Sequence, residues 1–127
     1  MTEYLLDSDV IIWILRGRPE AVAAVREMHS RGKLGCSSLS VFEVELGMRP
    51  GEEELTRELL RSLACYQVDG QIASLAAKWF REFRQRGRTL DFIDLLIAAT
   101  CEKWGLTLVT YNPKDFPFPA LPIIPLR

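Results

Sequence analysis

TLDFIDLLIAATCEKWGLTLVTYNPKDF, residues 89–116, joins a helix to a strand by one short turn. Asp91 to Trp104 is predicted to be a buried helix, since the residues after Asp94 are almost wholly apolar, and Gly105 closes it. Thr107 to Thr110, β-branched and apolar, is the strand that follows. Upstream, Ile72, Leu75, Ala76, Trp79, Phe80 and Phe83 form an i, i+3, i+4 stripe ending near Gly87, and Cys65 to Val68 precedes it as a strand. Leu55, Leu59 and Leu63 mark a helix before that. Another runs from Ser40 to Met48 and stops at Pro50-Gly51, after a short strand at Leu34 to Ser37. Pro19 sits well at a first helical position and Gly32 at a C-terminal cap, giving a helix from Pro19 to Arg31. Glu3 to Leu6 is the first buried strand, with a helix starting directly after it. Beyond residue 112 stand Pro113, Pro117, Pro119, Pro122 and Pro125, so only Ile123 and Ile124 are expected to pair, at an edge. Strands alternating with helices predict a three-layer α/β/α domain with a mostly parallel sheet, one domain over residues 1–127. In such sheets ligands sit outside the carboxyl ends of the strands, where strand order reverses.

Composition agrees with an ordinary globular chain. Hydrophobic residues make up 48% and charged residues 26%, and folding at this length buries about two-thirds of the surface an unfolded chain exposes. No apolar run is long enough to span a bilayer, and no basic region precedes the short apolar stretch in MTEYLLDSDVII, so a cytoplasmic protein is expected. Cys36, Cys65 and Cys101 stand far apart without a C-x-x-C and with only His29 to join them, and are read as reduced, half-buried core residues. A net charge of −1 does not mark a nucleic-acid binder, so phosphate affinity must come from local patches or a bound metal.

The chemistry-bearing residues are acids. Asp7 and Asp9 follow the first strand directly, which places Asp7 at the strand's carboxyl end, although capping of the next helix by Asp7 or Ser8 explains them as well. Leu39, Phe42 and Leu46 define one helix face, and Glu43 occupies a position on it that a core helix fills with an apolar residue. Glu43 is therefore expected to face inward; a salt-bridged glutamate at the core edge is the other reading. Asp91, Asp94 and Ala98 share a face of the later helix, and Asp91 has the spacing of a capping residue. Asn112 and Asp115 follow the last confident strand, and a turn at Asn112-Pro113 accounts for Asn112 without any function. If these carboxylates converge, two charges ~5 Å apart repel by about 3 kcal/mol at an effective dielectric of ~20. A few such pairs rival the whole ~5–15 kcal/mol stability of a domain, and a divalent cation resolves the conflict. Oxygen ligands without cysteine or histidine favour Mg²⁺ or Mn²⁺, and two such ions suit in-line displacement at a phosphodiester. A lone imidazole, His29, on a peripheral helix does not supply histidine-pair chemistry.

The segments LLDSDVII, FEVELG, DLLIAAT and LVTYNPKDF, in this order from Asp7 to Phe116, resemble the PIN domains of VapC toxins. The last two are the specific ones. The resemblance implies a metal-dependent endoribonuclease, a homodimer and a cognate VapB-type antitoxin that blocks the active site. Position by position, it implies that Asp7 is the first metal-binding aspartate, Glu43 the acid of the second segment, Asp94 the aspartate opening the LIAA helix and Asp115 the late acid. Asn112 stands where many PIN domains carry Asp, and Asp9 where Asn is more usual.

Arg81, Arg84, Arg86 and Arg88 cluster around Phe83, enough to meet several RNA phosphates, or simply a solvated helix end. Three rival readings remain. A phospho-accepting receiver-like domain would use Asp69 and Lys114, but Asp69 runs into Gly70, and two helical stretches fill the region before it. A haloacid-dehalogenase-like phosphatase also begins with Asp-x-Asp, but such chains are longer. A PIN fold kept only as a binding module is disfavoured by the intact acid set. The helix from Ser40 to Met48 is apolar on two sides, which fits a homodimer or burial in the monomer.

Overall fold

In the computed structural model, which describes residues 2–127, five strands and six α-helices alternate along the chain among the described residues. They are β1 (Thr2–Leu6), α1 (Ser8–Leu15), α2 (Pro19–Arg31), β2 (Gly32–Ser37), α3 (Ser38–Leu46), α4 (Glu53–Ser62), β3 (Ala64–Tyr66), α5 (Gly70–Gln85), α6 (Phe92–Trp104), β4 (Thr107–Thr110) and β5 (Ile123–Pro125). A 3-10 turn at Pro113–Asp115 links the last two strands. Met1, the first residue of the expected domain, lies outside the described residues.

The sheet order is β3-β2-β1-β4-β5, and each neighbouring pair runs parallel. The chain therefore builds outward from β1 to β3, then returns to the other side of β1 with β4. That reversal opens a crevice at the carboxyl ends of β1 and β4. Alternation along the strands divides the core between the two faces of the sheet. Tyr4, Leu6 and Val109 pack with Val10, Ile11, Val25, Met28, Val44 and Leu63 from the α1–α4 side. Leu5 and Leu108 point the other way, onto Ile97, Ala98 and Cys101 of α6. Helix α5 packs on α6 through Ile72, Ala76 and Phe83 against Leu95 and Ala99. Complete burial of side chains such as Leu5, Leu6 and Ile97 stabilises the fold by about 1.5–3 kcal/mol each.

Two glycines have different tasks. Gly105 ends α6 with φ +65, the left-handed conformation that a side chain resists. Gly32 caps α2 with extended backbone instead, and is required because a Cβ there would collide with the Thr2 backbone carbonyl oxygen across the β1–β2 pair.

The three-layer architecture matches the expectation, and several details correct it. Helix α3 starts at Ser38, where the Ser37 hydroxyl accepts from the Leu39 N–H at 3.1 Å, and ends at Leu46. Its inner face carries Ser40 and Val44, whereas Phe42 is 63% exposed and Leu46 74% exposed. The apolar face expected to be core is the outer one. The third strand covers Ala64–Tyr66 rather than residues 65–68, and Cys65 is exposed rather than half-buried. Leu55 is exposed too, because α4 buries Thr56 and packs Leu59 and Leu60 inward. Pairing at β5 extends to Pro125, opposite Thr110 on the sheet edge. No helix among the described residues is long and apolar enough to cross a membrane.

Candidate active site

Asp7 leaves the end of β1 and caps α1, so a single residue links the strand to the crevice. Its Oδ1 accepts from the Ser8 N–H at 2.8 Å and its Oδ2 from the Thr110 hydroxyl at 2.8 Å, which ties it to the end of β4. Asp94 enters from the first turn of α6, where its N–H donates to Asp91 Oδ2 at 3.1 Å, as the capping reading of Asp91 required. Glu43 reaches over from α3 and accepts from the Ser8 hydroxyl at 2.6 Å. Asp115 stands at the end of the 3-10 turn after β4. These four carboxylates line one cleft of about 380 Å³ with Ser8, Asp9, Ile12, Leu46 and Asn112.

Glu43 arrives there for a reason other than the one anticipated. It is half-buried where α3 faces the cleft, held by Ser8 across from α1, and is not a member of the core. Asp9, passed over in favour of Asp7, proves to be integral to the cleft. Its Oδ2 accepts from the Asn112 side-chain amide at 2.7 Å and from the Tyr111 N–H at 3.3 Å, while its Oδ1 is buried without a partner among the described residues. Asn112 is thus both a turn residue and the clamp on Asp9. Thr110 also escaped notice; the signal was a polar residue closing an apolar strand beside a presumed site.

Burial is the main cause of the electrostatics here, with like charge second at Asp7 and Asp94. It pushes the Asp7 carboxyl up to about 6, helped by Asp9 and opposed by the Thr110 and Ser8 hydrogen bonds. Asp94 is pushed up to about 7 by burial, then by Asp91, Asp7, Asp115 and Glu43. Burial also raises Asp9 above the usual carboxylate range, against the pull of Asn112.

Every charged donor in the cleft is a carboxylate oxygen, the ligand chemistry of Mg²⁺ or Mn²⁺ rather than zinc. Among the described residues no three carboxylate, imidazole or thiolate side chains gather closely enough to hold an ion unaided. The carboxylates flank an open cleft, which fits a hydrated cation, because Mg²⁺ keeps several waters and takes one or two carboxylates. The unpartnered Asp9 Oδ1 fits the same need for positive charge.

Other candidates lie elsewhere. Asp69 caps α5 through the Ile72 N–H at 2.9 Å and pairs with Lys103, exposed and outside the cleft, so it is no phospho-acceptor in a shared acidic site. His29 is exposed on α2. Arg81, Arg84, Arg86 and Arg88 are exposed around the end of α5, where Arg88 donates to the Lys114 carbonyl oxygen at 3.5 Å, one residue from Asp115.

Comparison with known proteins places the chain in a family. The family model described as PIN domain matches residues 4–119. Ribonuclease VapC19 of Mycobacterium tuberculosis is 31% identical over 119 residues, spanning 92% of this chain and 95% of that protein. Ribonuclease VapC10 of the same organism is 36% identical over 116 residues, spanning 89% and 85%. The solved structure of VapBC2 from Rickettsia felis, bound to a DNA fragment from its promoter, superimposes with a TM-score of 0.86 at 20% identity, covering 99% of this chain and 100% of that one, a likeness of fold. With the family model spanning nearly all of it and the acids converging at the switch point of its sheet, the chain belongs to the PIN-domain family, in the VapC branch.

Proposed function

We propose that the chain, acting as one PIN domain over residues 1–127, is an endoribonuclease toxin that hydrolyses RNA phosphodiester bonds at this cleft with Mg²⁺ or Mn²⁺. Convergence of Asp7, Asp9, Glu43, Asp94 and Asp115 from α1, α3, α6 and the turn after β4 carries the reading. Five acids at one cleft repel RNA phosphates unless a cation stands between, and such a cluster is costly to fold without a charge to serve. Asp7 and Asp94 are the residues that would hold the ion, with Glu43 and Asp115 at its flanks. A bound divalent cation supplies the positive charge that acidifies water for attack and neutralises the phosphate.

The chain's own residues set the rest. Thr110 and the Ser8 N–H fix the Asp7 carboxyl, so it faces the cleft in one orientation. Ser8 does the same for Glu43, and Asn112 for Asp9. The reaction adds water to phosphorus and breaks one P–O bond. The leaving oxygen takes up a proton, and the products are a phosphate monoester and a hydroxyl.

The relatives named VapC and the VapBC structures support an antitoxin partner of the VapB type that covers the cleft, and the outward apolar residues Phe42 and Leu46 support either that contact or a homodimer. The test is cleavage of RNA, including structured tRNA and rRNA, with Mg²⁺ or Mn²⁺ by the wild type, Asp7→Asn and Asp94→Asn. Either substitution is expected to cut activity by roughly 100-fold, a typical loss when one charge-stabilising group is removed. Equal cleavage by all three refutes the assignment to this cleft, and none by a folded wild type refutes the nuclease reading and leaves a PIN binding module.

A further inference from the structure

Outside the acids, the cleft is bordered by an aromatic and cationic cluster that hydrolysis does not use. Trp13 lies one helical turn after Asp9 on α1, hence on the same helix face, and next to the cleft-lining Ile12. Tyr111 leaves β4 between Thr110 and Asn112, and its N–H is bonded to Asp9. The Arg18 guanidinium lies over both rings, 4.8 Å from the Trp13 centroid and 4.9 Å from that of Tyr111. We propose that Trp13, Arg18 and Tyr111 form a stacking subsite that seats one unpaired base of the RNA beside the cleft.

The cluster has the composition that this task needs. Trp13 is 41% exposed on a helix whose Val10 and Ile11 are fully buried, so a large aromatic surface is left to water beside an acidic site. The Arg18 side chain is 30% exposed, and among the described residues only its Nε–H is hydrogen-bonded, to Glu20. Its remaining N–H groups are free to meet base carbonyls or a phosphate.

Charge explains why stacking belongs here. The cleft repels the backbone it must receive, so affinity has to come from contacts that add no negative charge. A base presents a π face to Trp13 and Tyr111 whatever its identity, and the guanidinium adds a cation–π contact. Only an unpaired base has such a face free, which selects single-stranded or looped RNA over duplex.

This inference rests on the RNA reading above, and the experiment separates the two. Binding of a single-stranded oligoribonucleotide and of a blunt duplex is measured by fluorescence anisotropy in an Asp94→Asn background, whose slowed cutting leaves the RNA intact during the measurement. Trp13→Ala and Arg18→Ala are each expected to weaken single-strand binding roughly 5- to 100-fold. Trp13→Phe retains most of it, and duplex binding is unchanged. A folded Trp13→Ala chain that binds the single strand as well as its parent overturns the subsite while leaving RNA cleavage intact. Against variants that fail to fold, the unaltered chain is irradiated with an oligonucleotide carrying 5-iodouridine, and adducts are mapped by mass spectrometry. Cross-links at Trp13 or Tyr111 support the subsite even if no RNA is cut; cross-links only elsewhere, or no binding at all, overturn it.

Discussion

Asp94 occupies the third position of α6, where the positive end of the helix favours a carboxylate, yet burial and four neighbouring acids outweigh that and raise it to about 7. The sign of the linkage follows. A carboxyl whose folded pKa exceeds its unfolded value near 3.9 contributes stability present below that value and lost as pH rises through the folded pKa. For Asp94 and Asp7 the loss runs between about pH 4 and the raised values of about 7 and 6. In the metal-free chain, Asp94→Asn therefore stabilises at pH 8. The partly exposed group is screened by solvent, so the gain is about 1 kcal/mol, roughly 3–5 °C in Tm for this length. Thermal unfolding in chelator checks this: the gap closes toward pH 4, and excess Mg²⁺ narrows it at pH 8 by stabilising the wild type. An Asp94→Asn chain no more stable at pH 8 contradicts the electrostatic strain assigned to the cleft. Asp7 and Asp94 are legible in sequence because each stands at an element boundary beside apolar residues, although Asp7 also serves as the cap of α1. Asp9 is not, since its partners Asn112 and Tyr111 lie 102 or more residues away and meet it only once β1 and β4 pair.

Helix α3 shows where periodicity stops informing. It carries apolar residues on two sides, Val41 and Val44 on one and Phe42 and Leu46 on the other, and a 3.6-residue repeat identifies both faces without saying which turns inward. The choice is made by small Ser40, which lets the helix lie close on the sheet side, and by Ser37, which fixes its start. Strand order was similarly beyond reach: the β3-β2-β1-β4-β5 arrangement depends on pairings such as Tyr4 with both Leu34 and Thr107, not on any local signal. The helices α2 and α5 were legible because each has a single apolar stripe, and α6 because it is a nearly continuous apolar run, with a Pro or Gly marking an end of α2 and of α6. The two faces of α3 are told apart by urea unfolding. Val44→Ala, removing buried methyls, is expected to cost about 1–3 kcal/mol, whereas Leu46→Ser stays within about 0.5 kcal/mol. A large loss from Leu46→Ser in dilute protein would mean that a second copy covers it.

A molecule of net charge −1 with five acids at its mouth must draw in a polyanion by uneven distribution of its cations. The Arg81, Arg84, Arg86 and Arg88 group is an exposed basic patch whose last member reaches toward the cleft, and its side chains are partly held in place. Arg84 lies 5.3 Å from the Phe80 ring centroid and Arg86 4.4 Å from that of Phe83, which reduces the entropy lost when they meet phosphates. Arg88, bonded to the Lys114 carbonyl oxygen, joins the patch to the Asp115 side of the cleft, while Tyr111, linked to Trp13 through Arg18, borders it by Asp9. RNA laid across the cleft would thus meet phosphate contacts at one end and a stacking surface at the other, and the two respond differently to salt. Stacking is nearly salt-independent, whereas each phosphate neutralised contributes about −0.7 to the slope of log K against log salt for single strands. Replacing Arg86 and Arg88 by alanine is expected to weaken binding and flatten that slope by about 1.4. The Trp13→Ala change lowers affinity with the slope intact. An unchanged slope in the double arginine variant would assign the patch to solvent and leave the cation at the acids as the main source of phosphate affinity.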